Sequence, residues 1–208
     1  MNLKTQLQAG LNQLGLSLNA VQIERLLAYQ ALLQKWNKSY NLTAISDPQQ
    51  MLSHHLLDSL SITAWIKPQA KVLDVGTGAG LPGFPLAIAL PESRWWLLDS
   101  NGKKTRFIQQ ALAVCAINNA VVVKSRAEDY HAIEPFDVIV SRACAPLEVL
   151  VQSVAHLVRP GTRLMAMKTG LEREKASKIT IQYHRQEYDL QVPGISTPRK
   201  LITLRQLV

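Results

Sequence analysis

From residue 71 onward, short apolar runs of strand character alternate with longer amphipathic runs of helix character. No other feature of the sequence restricts its fold as strongly. The strand-like runs are VLDV (72–75), RWWLLD (94–99), AVVVK (120–124), FDVIVS (136–141) and TRLMAMK (162–168). Between them lie LPGFPLAIAL (81–90), GKKTRFIQQALAVCAI (102–117) and PLEVLVQSVAHLV (146–158), the last closed by Pro160-Gly161. LEREKASKITIQY (171–183) is a further expected helix. Such alternation implies a parallel sheet with helices on both faces, since parallel neighbours need a crossover. The last two strand-like runs, HRQEYDLQV and RKLITLRQ, flank PGIST and must run antiparallel to each other. The expectation is an α/β fold with a mostly parallel seven-stranded sheet that ends in an antiparallel hairpin.

The first 65 residues contain no convincing strand. AVQIERLLAYQALLQKWNKSY (20–40) places Ile23, Leu26, Leu27, Leu33 and Trp36 near helical spacing. Asp47-Pro48 reads as a helix start, with Asp as N-cap and Pro at the first helical position, and MLSHHLLDSLSITAWI continues it. We therefore divide the 208 residues into a helical N-terminal extension, 1–66, packed on a main domain, 67–208. No internal repeat is present.

Charge narrows the partner. The net charge of +8 is uneven: residues 1–70 carry +2, residues 71–150 are balanced, and residues 151–208 carry +6. An excess of this kind suits a phosphate-rich partner, although scattered charge also serves solubility. No window approaches the roughly 18 apolar residues of a membrane span, and the polar N-terminus lacks a signal-peptide core. The two cysteines, Cys115 and Cys144, form no CxxC pair and read as buried thiols of a cytoplasmic protein. Five scattered histidines have no metal-ligand spacing, so no metal is expected. No long apolar seam suggests an oligomer, and a monomer is expected.

The first strand runs into Gly76, Gly78 and Gly80. Glycines here permit positive φ and close approach of a ligand to the backbone. A dinucleotide fingerprint requires its third glycine at position 81, which is Leu81, and a P-loop requires Lys after Gly83, where Phe84 stands. S-adenosylmethionine needs no phosphate cradle. Asp74 is placed for the methionine end of such a cofactor, or to orient the loop amides. Asp99, at the end of the second strand, is placed for the ribose hydroxyls, or as a helix N-cap shared with Ser100.

LDVGTGAGLPGFPLA, followed by LLDSNGKKTRFI, SRAED and FDVIVSRA, resembles the ribosomal RNA small subunit methyltransferase G family, also called the glucose-inhibited division protein B family. KWNKSYNLTAI and HHLLDSL resemble its N-terminal signature. The resemblance runs from about residue 20 to the end. It implies the class I methyltransferase (Rossmann-like) fold and transfer of a methyl group from S-adenosylmethionine to N7 of one guanine in 16S rRNA, near the decoding site. The substrate would be 16S rRNA or a small-subunit particle. By position it implies cofactor contacts at Gly76, Leu81, Ala127, Glu128 and Arg142. His54 departs from the family, which often carries Arg there, and His55 is placed to hold the N-terminal helices against the pocket.

Guanine N7 has an in-plane lone pair and loses no proton on attack, so a strong general base is unnecessary. Arg142 is expected to orient the substrate, through a phosphate, a carboxylate or the guanine acceptor edge. RNA contacts are expected from Lys103, Lys104 and Arg106 beside the pocket, and from Lys168, Arg199 and Lys200. Three other readings compete: a same-fold methyltransferase for a small molecule or protein, an NAD-dependent oxidoreductase, and a non-catalytic RNA-binding protein.

Overall fold

The computed structural model describes residues 2–142, 146–169 and 183–207. Helices α1 (Leu3–Gln13) and α2 (Ala20–Tyr40) come first. Asn19 closes a capping box with Gln22 at the start of α2, and the same Gln22 side chain donates to the Ile88 carbonyl at 2.8 Å, tying α2 to the helix that follows the first strand. Asp47 caps α3 (Pro48–Met51) as expected, its side chain accepting from the Gln49 and Gln50 amides. The helix then changes character. Leu52–Leu57 is a π-helix, followed by α4 (Asp58–Leu60) and a 3₁₀ turn, Thr63–Trp65. Periodicity does not foresee the π segment, because Leu52, Leu56 and Leu60 recur at a spacing that fits an ordinary α-helix.

The alternating strands and helices follow as β1 (Lys71–Val75), α5 (Gly83–Ala89), β2 (Arg94–Asp99), α6 (Gly102–Val114), β3 (Ala120–Lys124), β4 (Val138–Arg142), α7 (Leu147–Val154), β5 (Arg163–Thr169), β6 (Tyr183–Leu190) and β7 (Arg199–Gln206). The seven described strands form one sheet in the order β3-β2-β1-β4-β5-β7-β6. Strands β1 to β5 pair in parallel, while β7 is antiparallel to both β5 and β6. The mostly parallel sheet with its terminal hairpin is therefore as the alternation implies. The helix expected over 171–183 lies outside the described residues, except that Tyr183 opens β6. Cys144 also lies outside them. Cys115 is a buried free thiol, pushed up to about 11 by burial.

Alternation along each strand sorts the core into two layers. Val72, Trp95, Leu97, Val138, Val140 and Leu201 share one cluster with Leu26, Tyr29, Leu33, Phe84 and Phe107. Leu73, Val75, Leu98, Ile139 and Ile202 share the other with Leu150, Val151 and Val154 of α7. The N-terminal helices thus complete the layer over one face of the sheet. The same parity sends Asp74, Asp99, Arg142 and Arg199 toward that face, and Lys168 and Lys200 toward the other.

Candidate active site

Strand order reverses at β1, whose neighbours are β2 and β4. In open α/β sheets the ligand crevice forms outside the carboxyl ends of strands at such a point. The glycine turn sits there. Gly76, Gly78 and Gly80 all have positive φ, at 66°, 63° and 97°. A Cβ on Gly78 would meet nothing nearer than the Gly76 carbonyl at 3.9 Å, so this position opens toward the cleft. The Leu81–Pro82 peptide is cis.

Two aspartates brace the turn from opposite sides. Asp74 Oδ2 accepts from Thr77 Oγ1 at 2.6 Å and from the Gly83 amide at 2.8 Å. Its side chain is fully buried, and burial pushes its carboxyl up to about 6 against the pull of those two donors. Asp99 Oδ2 accepts from the Gly78 amide at 2.9 Å and Oδ1 from the Asn101 amide at 2.8 Å. An ionised carboxylate offers about four acceptor positions, so Asp99 can still accept from a ligand hydroxyl.

The cleft in front of the turn holds about 770 Å³, within the ~300–1,000 Å³ usual for small-molecule sites. Gly76, Gly78, Leu81, Asp99, Lys104, Ala127, Glu128, Arg142, Lys168, Arg199 and Lys200 all line it. The other expected residues stand apart from the cleft. Asp74 does not reach the cleft: it stands one residue short of the end of β1 and lies under α5, where the turn's own donors occupy it. Gly80 also faces inward, where a Cβ would lie 3.0 Å from Phe84 Cβ. Lys103 and Arg106 are exposed on α6 and do not line the cleft, since helical spacing leaves only Lys104 of that group on the cleft side. The cap of α6 is Asn101, not Asp99 with Ser100. Arg142 is the last residue of β4 rather than the residue after it.

Residues that the sequence reading passed over complete the site. Arg142 Nη1 donates to the His54 carbonyl at 2.7 Å and to Asp58 Oδ2 at 3.0 Å. Arg199 Nε donates to Asp58 Oδ1 at 3.2 Å. Asp58 is 4% exposed and sits among buried Leu56, Leu57 and Leu60. A carboxylate on an apolar helix face requires a charged partner, and that was the available signal. Tyr29 was equally invisible. Its ring stacks on Phe84 with centroids 4.4 Å apart, and its hydroxyl donates to the Ala79 carbonyl of the turn at 2.8 Å.

The KWNKSYNLTAI motif acquires a local role. Asn37 Oδ1 accepts from the Thr43 amide at 2.8 Å, and Thr43 Oγ1 lies 2.9 Å from His55 Nε2. Burial and then the Arg142 charge depress the imidazole to about 4. Between pH 4 and 6.5 the unfolded chain binds more protons at this position than the folded one. The stability it contributes is complete above pH 6.5 and is lost as pH falls toward 4. Asp74, raised in the fold, has the opposite slope over an overlapping window, so substitution is needed to separate them. His55→Gln is expected to be less stable than the wild type at pH 7, with the gap shrinking by about 3 kcal/mol by pH 4, at about 1.4 kcal/mol per pH unit. Urea midpoints at both pH values measure this; a constant gap would contradict it.

Comparison with known proteins agrees with this geometry. The GidB family model, described as rRNA small subunit methyltransferase G, matches residues 22–203. The Ribosomal RNA small subunit methyltransferase G of Pseudomonas aeruginosa (strain LESB58) is 46% identical over 202 residues, covering 97% of this chain and 94% of its own. That of Pseudomonas putida is 44% identical over 203 residues, covering 97% and 94%. Magnesium protoporphyrin IX methyltransferase from Synechocystis PCC 6803, solved with bound SAM, superposes with a TM-score of 0.61 at 16% identity, over 86% of this chain and 97% of that one. An rRNA methylase from Streptococcus thermophilus superposes with a TM-score of 0.53 at 18% identity, over 73% and 95%. At such identities the two structures speak for the fold alone, which is that of the class I methyltransferases. The family match and the relatives go further: this chain belongs to the rRNA small subunit methyltransferase G family.

Proposed function

We infer that this protein transfers the methyl group of S-adenosylmethionine to N7 of a guanine in the 16S rRNA of the small ribosomal subunit. The observation that carries the reading is a methyl-donor turn opening directly onto a cation-lined cleft, in a chain of this family. S-adenosylmethionine, when bound, supplies an electrophilic methyl group. The open backbone around Gly76 and Gly78 fits close approach of such a cofactor, and Leu81 and Ala127 offer apolar walls. Asp99 is read as the ribose acceptor and Glu128, exposed after β3, as the acceptor for the adenine amino group.

The chain's own residues then have to align and exclude rather than move protons. N7 attacks in line with its lone pair, so the guanine needs orientation more than a base. Alignment of this kind can supply ~7–11 kcal/mol of a barrier. His55 is held neutral and bonded to Thr43, consistent with a structural role. Arg142, Lys104, Lys168, Arg199 and Lys200 are read as the cationic lining that receives RNA. We read the protein as a cytoplasmic monomer.

Purified protein, S-adenosylmethionine labelled in the methyl group and rRNA lacking the modification should yield label in one N7-methylguanine, mapped by strand scission. The KM for RNA should rise steeply with salt, because phosphate contacts release counterions. Label appearing on protein, or a KM indifferent to salt, would sink the reading.

A further inference from the structure

We propose that Asp58 is a positioning residue whose carboxylate holds the guanidinium groups of Arg142 and Arg199 side by side, as a receptor for one rRNA phosphate beside the target nucleotide. The proposal rests on the function read above. Asp58 opens α4 directly after the π-helix, Arg142 closes β4 and Arg199 opens β7. Each oxygen of Asp58 takes one arginine, Oδ2 from Arg142 and Oδ1 from Arg199. The His54 carbonyl of the π segment fixes Arg142 a second time, so Nη1 has two acceptors and the orientation of the whole planar group is set.

The charges of this trio do not cancel. Two guanidinium groups share one carboxylate, which leaves one positive charge. Arg199 Nη1 is buried and has no hydrogen-bond partner among the described residues. A buried donor without an acceptor costs about 1–3 kcal/mol, more when charged. Arg199 lines the cleft, and an anion that enters beside it supplies the acceptor its guanidinium lacks. Paired guanidinium groups match the oxygen geometry of phosphate better than ammonium groups do.

At Arg199, position favours the RNA over the cofactor's carboxylate, while Arg142, on β4 directly beside β1, stands between the two. The glycine turn leaves β1, and β7 lies three strands away across β4 and β5. At ~4.8 Å per strand that is ~14 Å, toward the side of the cleft where Lys168 and Lys200 stand as direct neighbours in register.

Two variants test the proposal by sign as well as size. Asp58→Asn removes one negative charge. If Asp58 only offsets charge, RNA should bind as well or better. If it positions the arginines, kcat/KM for rRNA should fall at least tenfold despite the added positive charge. Arg199→Met leaves the Asp58–Arg142 pair intact and guards against loss of folding in the first variant. It should raise the KM for rRNA about tenfold and make the slope of log KM against log salt shallower by about 0.7, one single-strand phosphate contact. S-adenosylmethionine affinity of Arg199→Met, by calorimetry, should stay within twofold. Unchanged or tighter RNA use by folded Asp58→Asn, or an unchanged salt slope in Arg199→Met, overturns the proposal. So does a loss of cofactor affinity in Arg199→Met without a change in KM for RNA, which would make the anion the cofactor's carboxylate. A wild-type protein that leaves rRNA unmethylated fails the functional reading itself, before any variant is compared.

Discussion

Gly83→Ala is expected to cost at least tenfold in S-adenosylmethionine affinity and about 2–4 kcal/mol of stability, although Gly83 does not line the cleft. The estimate combines overpacking, ~1–3 kcal/mol, with disturbance of a buried charged acceptor. A Cβ at this position would overlap Leu97 Cδ2 and lie 2.7 Å from Asp74 Oδ2. Leu97 belongs to a central strand and is fully buried, so it has little room to yield. Asp74 would have to move, and with it the oxygen that accepts from Thr77 and Gly83. Asp74 Oδ1 already lacks a partner among the described residues, so no reserve contact compensates. Gly78→Ala provides the contrast. Its cost in stability should be only the ~1–2 kcal/mol of a left-handed backbone, because its Cβ has open space, yet that space belongs to the cofactor. Calorimetric titration and urea denaturation of both variants separate the effects. Wild-type affinity in Gly83→Ala would contradict the account of Asp74 as the brace of the turn.

Tyr29→Ala is expected to destabilise the protein by about 3–5 kcal/mol, as large aromatic truncations in cores do. Tyr29 is fully buried between Phe84 of α5 and Phe107 of α6, so the cavity would open between α2 and those two helices. Tyr29→Phe isolates the hydroxyl. Its removal leaves the Ala79 carbonyl without this donor, for about 1 kcal/mol, and should weaken S-adenosylmethionine binding a few-fold by loosening the turn. Burial holds the phenol well above its usual range, so it donates at any working pH. Equal stability and equal cofactor affinity in Tyr29→Phe would show that the bond supports neither.

These residues also mark the limit of what could be read from the chain. The helix start at Asp47-Pro48, the strand from Arg94 to Asp99 and the final strand from Arg199 to Gln206 were legible because each is governed by a local signal: a cap, an alternation or a turn. The glycine turn was legible for the same reason, and Leu81 and Phe84 sufficed to set aside two cofactor classes. The site failed where depth along the strand decided, since Asp74 pairs with Leu97, two residues short of Asp99. Asp74 and Asp99 look alike in sequence, each an acid near the end of an apolar strand, but Val75 follows Asp74 in β1 whereas Asp99 closes β2. Asp74 lies beneath α5, facing the Gly83 amide. Asp99 lies beside the mouth, within reach of the Gly78 amide and the cleft.

The sequence by itself determined the alternating architecture, the nature of the turn and the family, since all three rest on short spans with strong spacing rules. Tertiary structure alone decided which charges meet. Asp58 is separated by 84 positions from Arg142 and by 141 from Arg199. No periodicity links such distant residues. They converge because a π segment ends at Asp58 and because β7 inserts antiparallel beside β5, bringing the start of the last strand to the end of the sheet where β4 terminates.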